Sequence, residues 1–151
     1  MKEEEEIEIS EKYFAIVNSE IYQKMIPLPI LKAIFEIIRK FRNRCVHTGH
    51  FFCFKSTSTI RATWIHKKLK LPKDNLGKSI FGIGDMLSVL ISIKLICSQQ
   101  KLLKLIEEIN AEIINVVAET KIITEDEILL EMGLPSDWLK SGYKKFIDLV
   151  P

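Results

Sequence analysis

Several things are missing from this 151-residue chain, and each absence removes a class of protein. Its three cysteines, Cys45, Cys53 and Cys97, form no C-x-x-C pair and leave one over in any disulfide scheme. That count argues against a disulfide-stapled secreted domain and for a reduced, cytoplasmic protein. A basic leader is missing too: the N-terminus opens with the acidic run Glu3 to Glu6, so export is not expected. No apolar stretch is long enough for a bilayer, since the run over residues 86–97 is short and carries Ser88, Ser92 and Lys94. It is expected to be a buried helix, and no membrane partner is expected. Period-two alternation is scarce as well, which leaves little room for a sheet.

Net charge is nearly absent, with 22 Lys and Arg against 20 Asp and Glu. Its distribution is uneven, however. The acids gather at the extreme N-terminus, whereas the stretch from Lys32 to Lys73 is rich in Lys and Arg and holds very few acids. A local basic region of this kind suits a polyanion such as RNA.

What remains is apolar residues at three- and four-residue steps, the signature of an all-α domain. Residues 1–9 read as a disordered acidic leader. Residues 10–151 read as one helical domain, without repeats or an internal linker, of about five to six helices. Ser10 is placed to cap a helix over residues 10–24, which Pro27 and Pro29 separate from the next. That next helix runs from about residue 30 to about residue 48, where Gly49 ends or bends it. Ser56-Thr-Ser-Thr59 forms a turn, residues 59–69 hold one or two helical turns, and Leu71-Pro-Lys-Asp-Asn75 is a loop. Asp85 caps a helix reaching about Cys97, and Ser98 caps another reaching about Ala118. Thr124-Glu-Asp-Glu127 is a capping box for a short helix closed by Gly133. A last helix is expected over residues 135–146, with Trp138 anchoring it to the body.

The densest chemistry lies in Phe41-Arg-Asn-Arg-Cys-Val-His-Thr-Gly-His50, where Arg42, Asn43 and His47 form an R-N-x-x-x-H string. A guanidinium grips phosphate by charge and paired donors, and an imidazole moves protons near neutral pH. On the helix from about residue 30, Ile30, Leu31, Ile34, Ile37, Ile38, Phe41 and Cys45 form an apolar stripe that should face the core. With Phe41 as reference and about 100° per residue, Arg42 falls on the shoulder of that stripe. Asn43 and His47 fall near 200° and 240°, on the opposite side. Asn43 and His47 are thus an i, i+4 pair, whereas Arg42 and His47 diverge by about 140°. A second copy of the helix laid antiparallel across the first would bring an Arg from one and a His from the other into one cleft.

The segments Phe41 to Lys55, Ile65-His-Lys-Lys-Leu69, Ile80-Phe-Gly82 with Asp85-Met-Leu87, and Met132-Gly-Leu-Pro-Ser-Asp-Trp138 together resemble, in order and spacing, the C-terminal half of the Abi-like (abortive infection) proteins of the HEPN ribonuclease superfamily. His50 stands where that family often has an Arg. The resemblance implies a HEPN-like bundle and a homodimer whose interface pairs two Arg/His motifs. It also implies a metal-independent endoribonuclease of phage-defence or toxin–antitoxin type, leaving 2′,3′-cyclic phosphate ends. Arg42, Asn43 and His47 would be the catalytic group; His50, Lys55, Lys67 and Lys68 would contact substrate. RNA, a second copy of the chain and an antitoxin or companion polypeptide are the expected partners, with no cofactor.

Competing readings of the same residues are weaker. Cys45, His47, His50 and Cys53 all come from one stretch, whereas structural zinc sites favour paired ligands from two separate elements and no second cluster exists, so no metal is expected. Phe51, Phe52 and Phe54 suit a core more readily than a base-stacking surface. The functional alternative is a HEPN-type module that binds RNA or dimerises without catalysis.

Overall fold

The computed structural model describes residues 26–48, 53–61 and 63–150, and among these it is helical, with no strand or sheet. Six α-helices follow one another: α1 Leu28–Thr48, α2 Trp64–Leu69, α3 Met86–Ile96, α4 Gln99–Thr120, α5 Glu125–Met132 and α6 Tyr143–Asp148. A π-helical turn, Trp138–Gly142, leads into α6. The expected all-α architecture is therefore the one found. The expected helix over residues 10–24 lies outside the described residues.

Helix α1 begins two residues earlier than its apolar spacing suggests. The Pro27 carbonyl accepts from the amides of Ile30 and Leu31, at 2.9 and 3.1 Å, and Pro29 sits in the first turn. A missing amide hydrogen is harmless there, because first-turn amides have no partner within the helix. Leu31, Ile34, Ile37 and Phe41 are buried in one continuous core. Cys45, by contrast, is exposed, although the stripe predicts it to be buried. From Arg42 to His47 no side chain is fully buried: Asn43 is half-buried, and Arg42, Arg44, Cys45, Val46 and His47 are exposed.

Helix α3 is the central element, packing on α1 on one side and on α4 on the other. Its two serines are completely buried, and they hydrogen-bond back along the helix: Ser92 Oγ donates to the Ser88 carbonyl at 2.8 Å, and Ser88 Oγ to that of Asp85. Lys94 is buried as well. Its ammonium donates to the Ile147 carbonyl at 2.8 Å and lies over the Phe146 ring, tying α3 to the end of α6. Burial pulls the Lys94 pKa down, an effect the Asp148 carboxylate opposes.

Sequence signals at the other helix ends have mixed fates. Asp85 accepts from the Ser88 amide as an N-cap should. Thr124 and Glu127 form the complete reciprocal capping box. Ser98 occupies the N-cap position of α4 in extended backbone, but its hydroxyl makes no capping bond. Gly133 closes α5 in left-handed conformation (φ 72°), and any β-carbon there would collide with the Asp85 carboxylate. The end of α5 is thereby pressed against the start of α3.

The single helix expected over residues 135–146 is instead a wide turn followed by α6. The amides of Lys140, Ser141 and Gly142 all point at the Asp137 carbonyl, at 3.1, 3.0 and 2.9 Å. Gly142 permits this, since a β-carbon there would crowd Asp137. The turn delivers Trp138 into the core, where only 1% of it is exposed. Its indole lies against Phe146, with ring centroids 5.6 Å apart, and Nε1 donates to Asn110 Oδ1 on α4 at 2.9 Å. Burying roughly 200 Å² of indole is worth about 5 kcal/mol, against about 1 kcal/mol net for the hydrogen bond. Apolar burial therefore holds the C-terminus, and Asn110 sets the indole's orientation. Asn110→Ala strands the buried N–H, so stability measured by urea unfolding should fall by about 1–3 kcal/mol; an unchanged midpoint would refute this role.

Candidate functional site

Because Leu31, Ile34, Ile37 and Phe41 point inward, the rotation of α1 is fixed, and so is the side it shows to solvent. Phe54 reinforces this: its ring meets Phe41 edge-on at 5.0 Å, and the Arg44 guanidinium lies over it at 5.4 Å. Phe54 thus packs on the body, as expected, and Phe51 and Phe52 lie outside the described residues. Lys40 donates to the Thr57 hydroxyl at 2.7 Å, holding segment 53–61 along the same helix.

On the outer side, Arg42 and His47 are exposed and Asn43 is half-buried. They share this side with two apolar residues that also face outward, Phe35 and Val46, the latter 69% exposed. Phe35, Arg39, Arg42 and Val46 follow i, i+4, i+7, i+11 spacing and so fall on one line. Arg39 pairs with Glu36 at 2.9 Å, which lowers the Glu36 pKa. Both side chains of that pair are about half-exposed, so it contributes little to stability. The line is one that a second helix could pack against, with Asn43 and His47 along its edge.

The residues expected to contact substrate are dispersed. His50 lies outside the described residues. Lys55 donates to the Glu131 carbonyl at the end of α5, at 2.9 Å, and its charge favours the ionised form of Asp85. It therefore serves as a clamp within the fold. Lys67 and Lys68 are exposed on α2.

Helix α2 also carries His66, to which sequence reasoning assigns no role. Its Nε2 lies 2.6 Å from the Gly82 carbonyl and its Nδ1 2.7 Å from the Thr63 hydroxyl. A carbonyl can only accept, so Nε2 carries the proton and Nδ1 accepts from Thr63. Thr63 Oγ1 in turn caps α2 by accepting from the His66 amide. The imidazole is thus a neutral cross-brace between α2 and the loop before α3, and burial lowers its pKa below 6.5 against the opposing pull of the Gly82 bond. Asp85 accepts from the Gly82 amide with both carboxylate oxygens, at 3.0 Å each, and burial raises its pKa despite these bonds.

Beside His66, α2 and the loop 73–80 enclose a cleft of about 270 Å³ lined by Arg61, Lys67, Lys73, Lys78 and Ser79. The sequence places Lys73, with Lys67, Lys68 and Lys70, on backbone that can approach a ligand, shows Arg61 only as part of a basic stretch, and read residue by residue gives Lys78 no part. The available signal is Lys73-Asp-Asn-Leu-Gly-Lys78, in which Asp and Gly turn the chain back and return both lysines to one side.

Among the described residues no three His, Cys, Asp or Glu side chains gather in a way that could hold a metal ion. Nor is any described helix long and apolar enough to cross a membrane. Compared with protein-family models, curated proteins and solved structures, the chain matches none. What the fold and site define is an all-α protein that presents an Arg, an Asn and a His on the solvent side of its first described helix.

The His66 brace has a pH signature. The unfolded chain takes up the proton first as pH falls. The group's contribution to stability is therefore complete above about pH 6.5 and is lost as pH drops through the lowered folded value. Asp85 acts in the opposite sense: its contribution is complete below pH 3.8 and is lost as pH rises through its raised value. Comparison with His66→Gln isolates the histidine. Urea unfolding should show stability declining from neutral pH to about pH 5 in the wild type, and that decline should be absent in the variant. Parallel pH profiles would refute the brace.

Proposed function

We propose that this protein is a metal-independent endoribonuclease whose site is completed by a second copy of the chain. The observation that carries the reading is the placement of Arg42, Asn43 and His47 on the solvent side of α1, beside the exposed Val46. An imidazole buried among apolar side chains would be useless as a proton carrier for a polymer; an exposed one is available to it. Val46, 69% exposed, gives a second helix something apolar to cover, and two-fold pairing is the commonest oligomeric arrangement. The resemblance to Abi-like HEPN proteins supports the same arrangement.

In the proposed reaction the RNA 2′-hydroxyl attacks the adjacent phosphorus and the bond from phosphorus to the 5′-oxygen breaks. A 2′,3′-cyclic phosphate and a 5′-hydroxyl result. His47 of one protomer removes the 2′-hydroxyl proton, and its counterpart supplies a proton to the departing 5′-oxygen. Arg42 binds the scissile phosphate and stabilises the charge that builds on it. Asn43, one helical turn before His47, orients the imidazole. The nucleophile belongs to the substrate, so the chemistry requires no metal and selects RNA over DNA without reading bases. Lys67 and Lys68 contribute charge toward the phosphate backbone. The biological setting that fits the resemblance is phage defence or a toxin–antitoxin pair, in the cytoplasm.

Mixed RNA incubated with the purified chain in EDTA should be cut to fragments ending in cyclic phosphate. His47→Ala should lower the rate by about 10²–10⁴-fold. RNA that is bound but left whole by the wild-type chain would favour the non-catalytic module, and cutting that persists in the variant would remove His47 from the mechanism.

A further inference from the structure

The cleft beside α2 is a second place where this chain concentrates chemistry, away from any residue used above except Lys67. Arg61, Lys67, Lys73 and Lys78 are all exposed, and all four line it. No carboxylate does. Among the described residues none of the four is in an ion pair. Four cations facing one concavity repel one another, and an anion is what relieves that repulsion.

The walls are built rather than loose. Lys73 and Ser79 pair through an antiparallel bridge. The Asp74 amide donates to the Lys78 carbonyl at 2.8 Å, and the Ile80 amide to the Pro72 carbonyl at 3.0 Å. Asp74, the loop's own acid, has its Oδ1 turned to the backbone, where it accepts from the amides of Leu76 and Lys78 at 2.9 Å each. Gly77 supplies the positive φ that lets the loop return. On the other wall, His66 pins α2 to the Gly82 carbonyl and thereby fixes where Lys67 starts.

Size and lining narrow the ligand. Sites for whole small molecules usually occupy about 300–1,000 Å³, and this cleft, at about 270 Å³, falls just below that range. Its lining offers cations, the Ser79 hydroxyl and the His66 imidazole, whose two nitrogens are already held by Thr63 and Gly82, but no Phe, Tyr or Trp on which a base could stack. Such a site recognises phosphate and leaves bases outside.

We infer that the cleft formed by Arg61, Lys67, Lys73 and Lys78 seats consecutive phosphates of a single-stranded RNA backbone. The inference rests on the reading of this chain as an RNA-acting protein for the class of its ligand, and not on the Arg42–His47 chemistry. The cleft anchors the strand; α1 acts on it.

A fluorescein-labelled 2′-O-methyl oligouridylate tests this, because it keeps the phosphodiester backbone but lacks the attacking hydroxyl and so cannot be cut. Anisotropy titrations should show Lys67→Ala/Lys73→Ala/Lys78→Ala weakening binding by about tenfold or more. The slope of log K against log salt should shrink by about 0.7 for each phosphate that is no longer neutralised. Lys101→Ala/Lys104→Ala, on the exposed side of α4, should change binding less than about twofold. Far-UV circular dichroism and thermal melting identify any variant that fails to fold, and the single variants Lys73→Ala and Lys78→Ala then carry the comparison. Equal losses in the two sets, or none in the cleft set, would overturn the proposal. So would inorganic tripolyphosphate binding in a lysine-dependent way while the oligonucleotide does not bind, since that would mark a site for free polyphosphate.

Discussion

Burial of Leu31, Ile34, Ile37 and Phe41 against the body of the protein is the constraint on which everything functional depends. A helix has one rotational freedom when it docks, and four large apolar side chains on one stripe remove it. Once they point inward, Arg42 cannot be hidden and His47 cannot reach the core. Each such side chain is worth about 1.5–3 kcal/mol in burial, so no hydrogen bond or exposed ion pair on the outer side competes with that choice. The pair formed by Glu36 and Arg39 on α1 illustrates the difference in scale: it is half-exposed and follows the orientation that the core has already set.

A second fixed point lies at the start of α3. There the Asp85 carboxylate caps its own helix, takes the Gly82 amide, and leaves room only for a glycine at position 133. Gly82 in turn offers its carbonyl to His66. One loop residue is thus held by its amide to α3 and by its carbonyl to α2, and this positions the short helix that carries Lys67. Asp85 and His66 serve placement, while Arg61, Lys67, Lys73 and Lys78 are exposed around the cleft beside α2.

Apolar spacing is enough to place α1, α3, α4 and α5, because each buries a stripe that repeats at helical period. The Thr124–Glu127 box and the Asp85 cap are legible for a local reason: both are satisfied within four residues. What escapes the sequence depends on distant partners. Cys45 has the right spacing to be buried, yet it is exposed, because spacing alone does not say where along the helix the covering elements stop. The π-helical turn at Trp138 needs Asn110, 28 residues away, to give the indole a destination. His66 looks idle in the sequence because its two partners, Thr63 and Gly82, are joined only by folding. The R-N-x-x-x-H string is visible as chemistry, and its solvent-facing position follows from helix geometry. Lys73 and Lys78 meet across a turn whose shape only the folded chain reveals.

An Arg and a His that diverge by about 140° on one helix meet on one phosphate either by the long Arg side chain curling round the helix or, as proposed above, by coming from two copies of it. Subunit mixing therefore tests the central idea most directly. Arg42→Ala and His47→Ala, each inactive alone, should regain part of the RNA cleavage when co-expressed or exchanged into mixed dimers, because the mixture reunites one intact Arg42 with one intact His47 and leaves only the second proton transfer to water. A mixture that forms dimers yet stays as inactive as its parents, beside a wild-type chain that cuts, would show that the site is not shared between protomers.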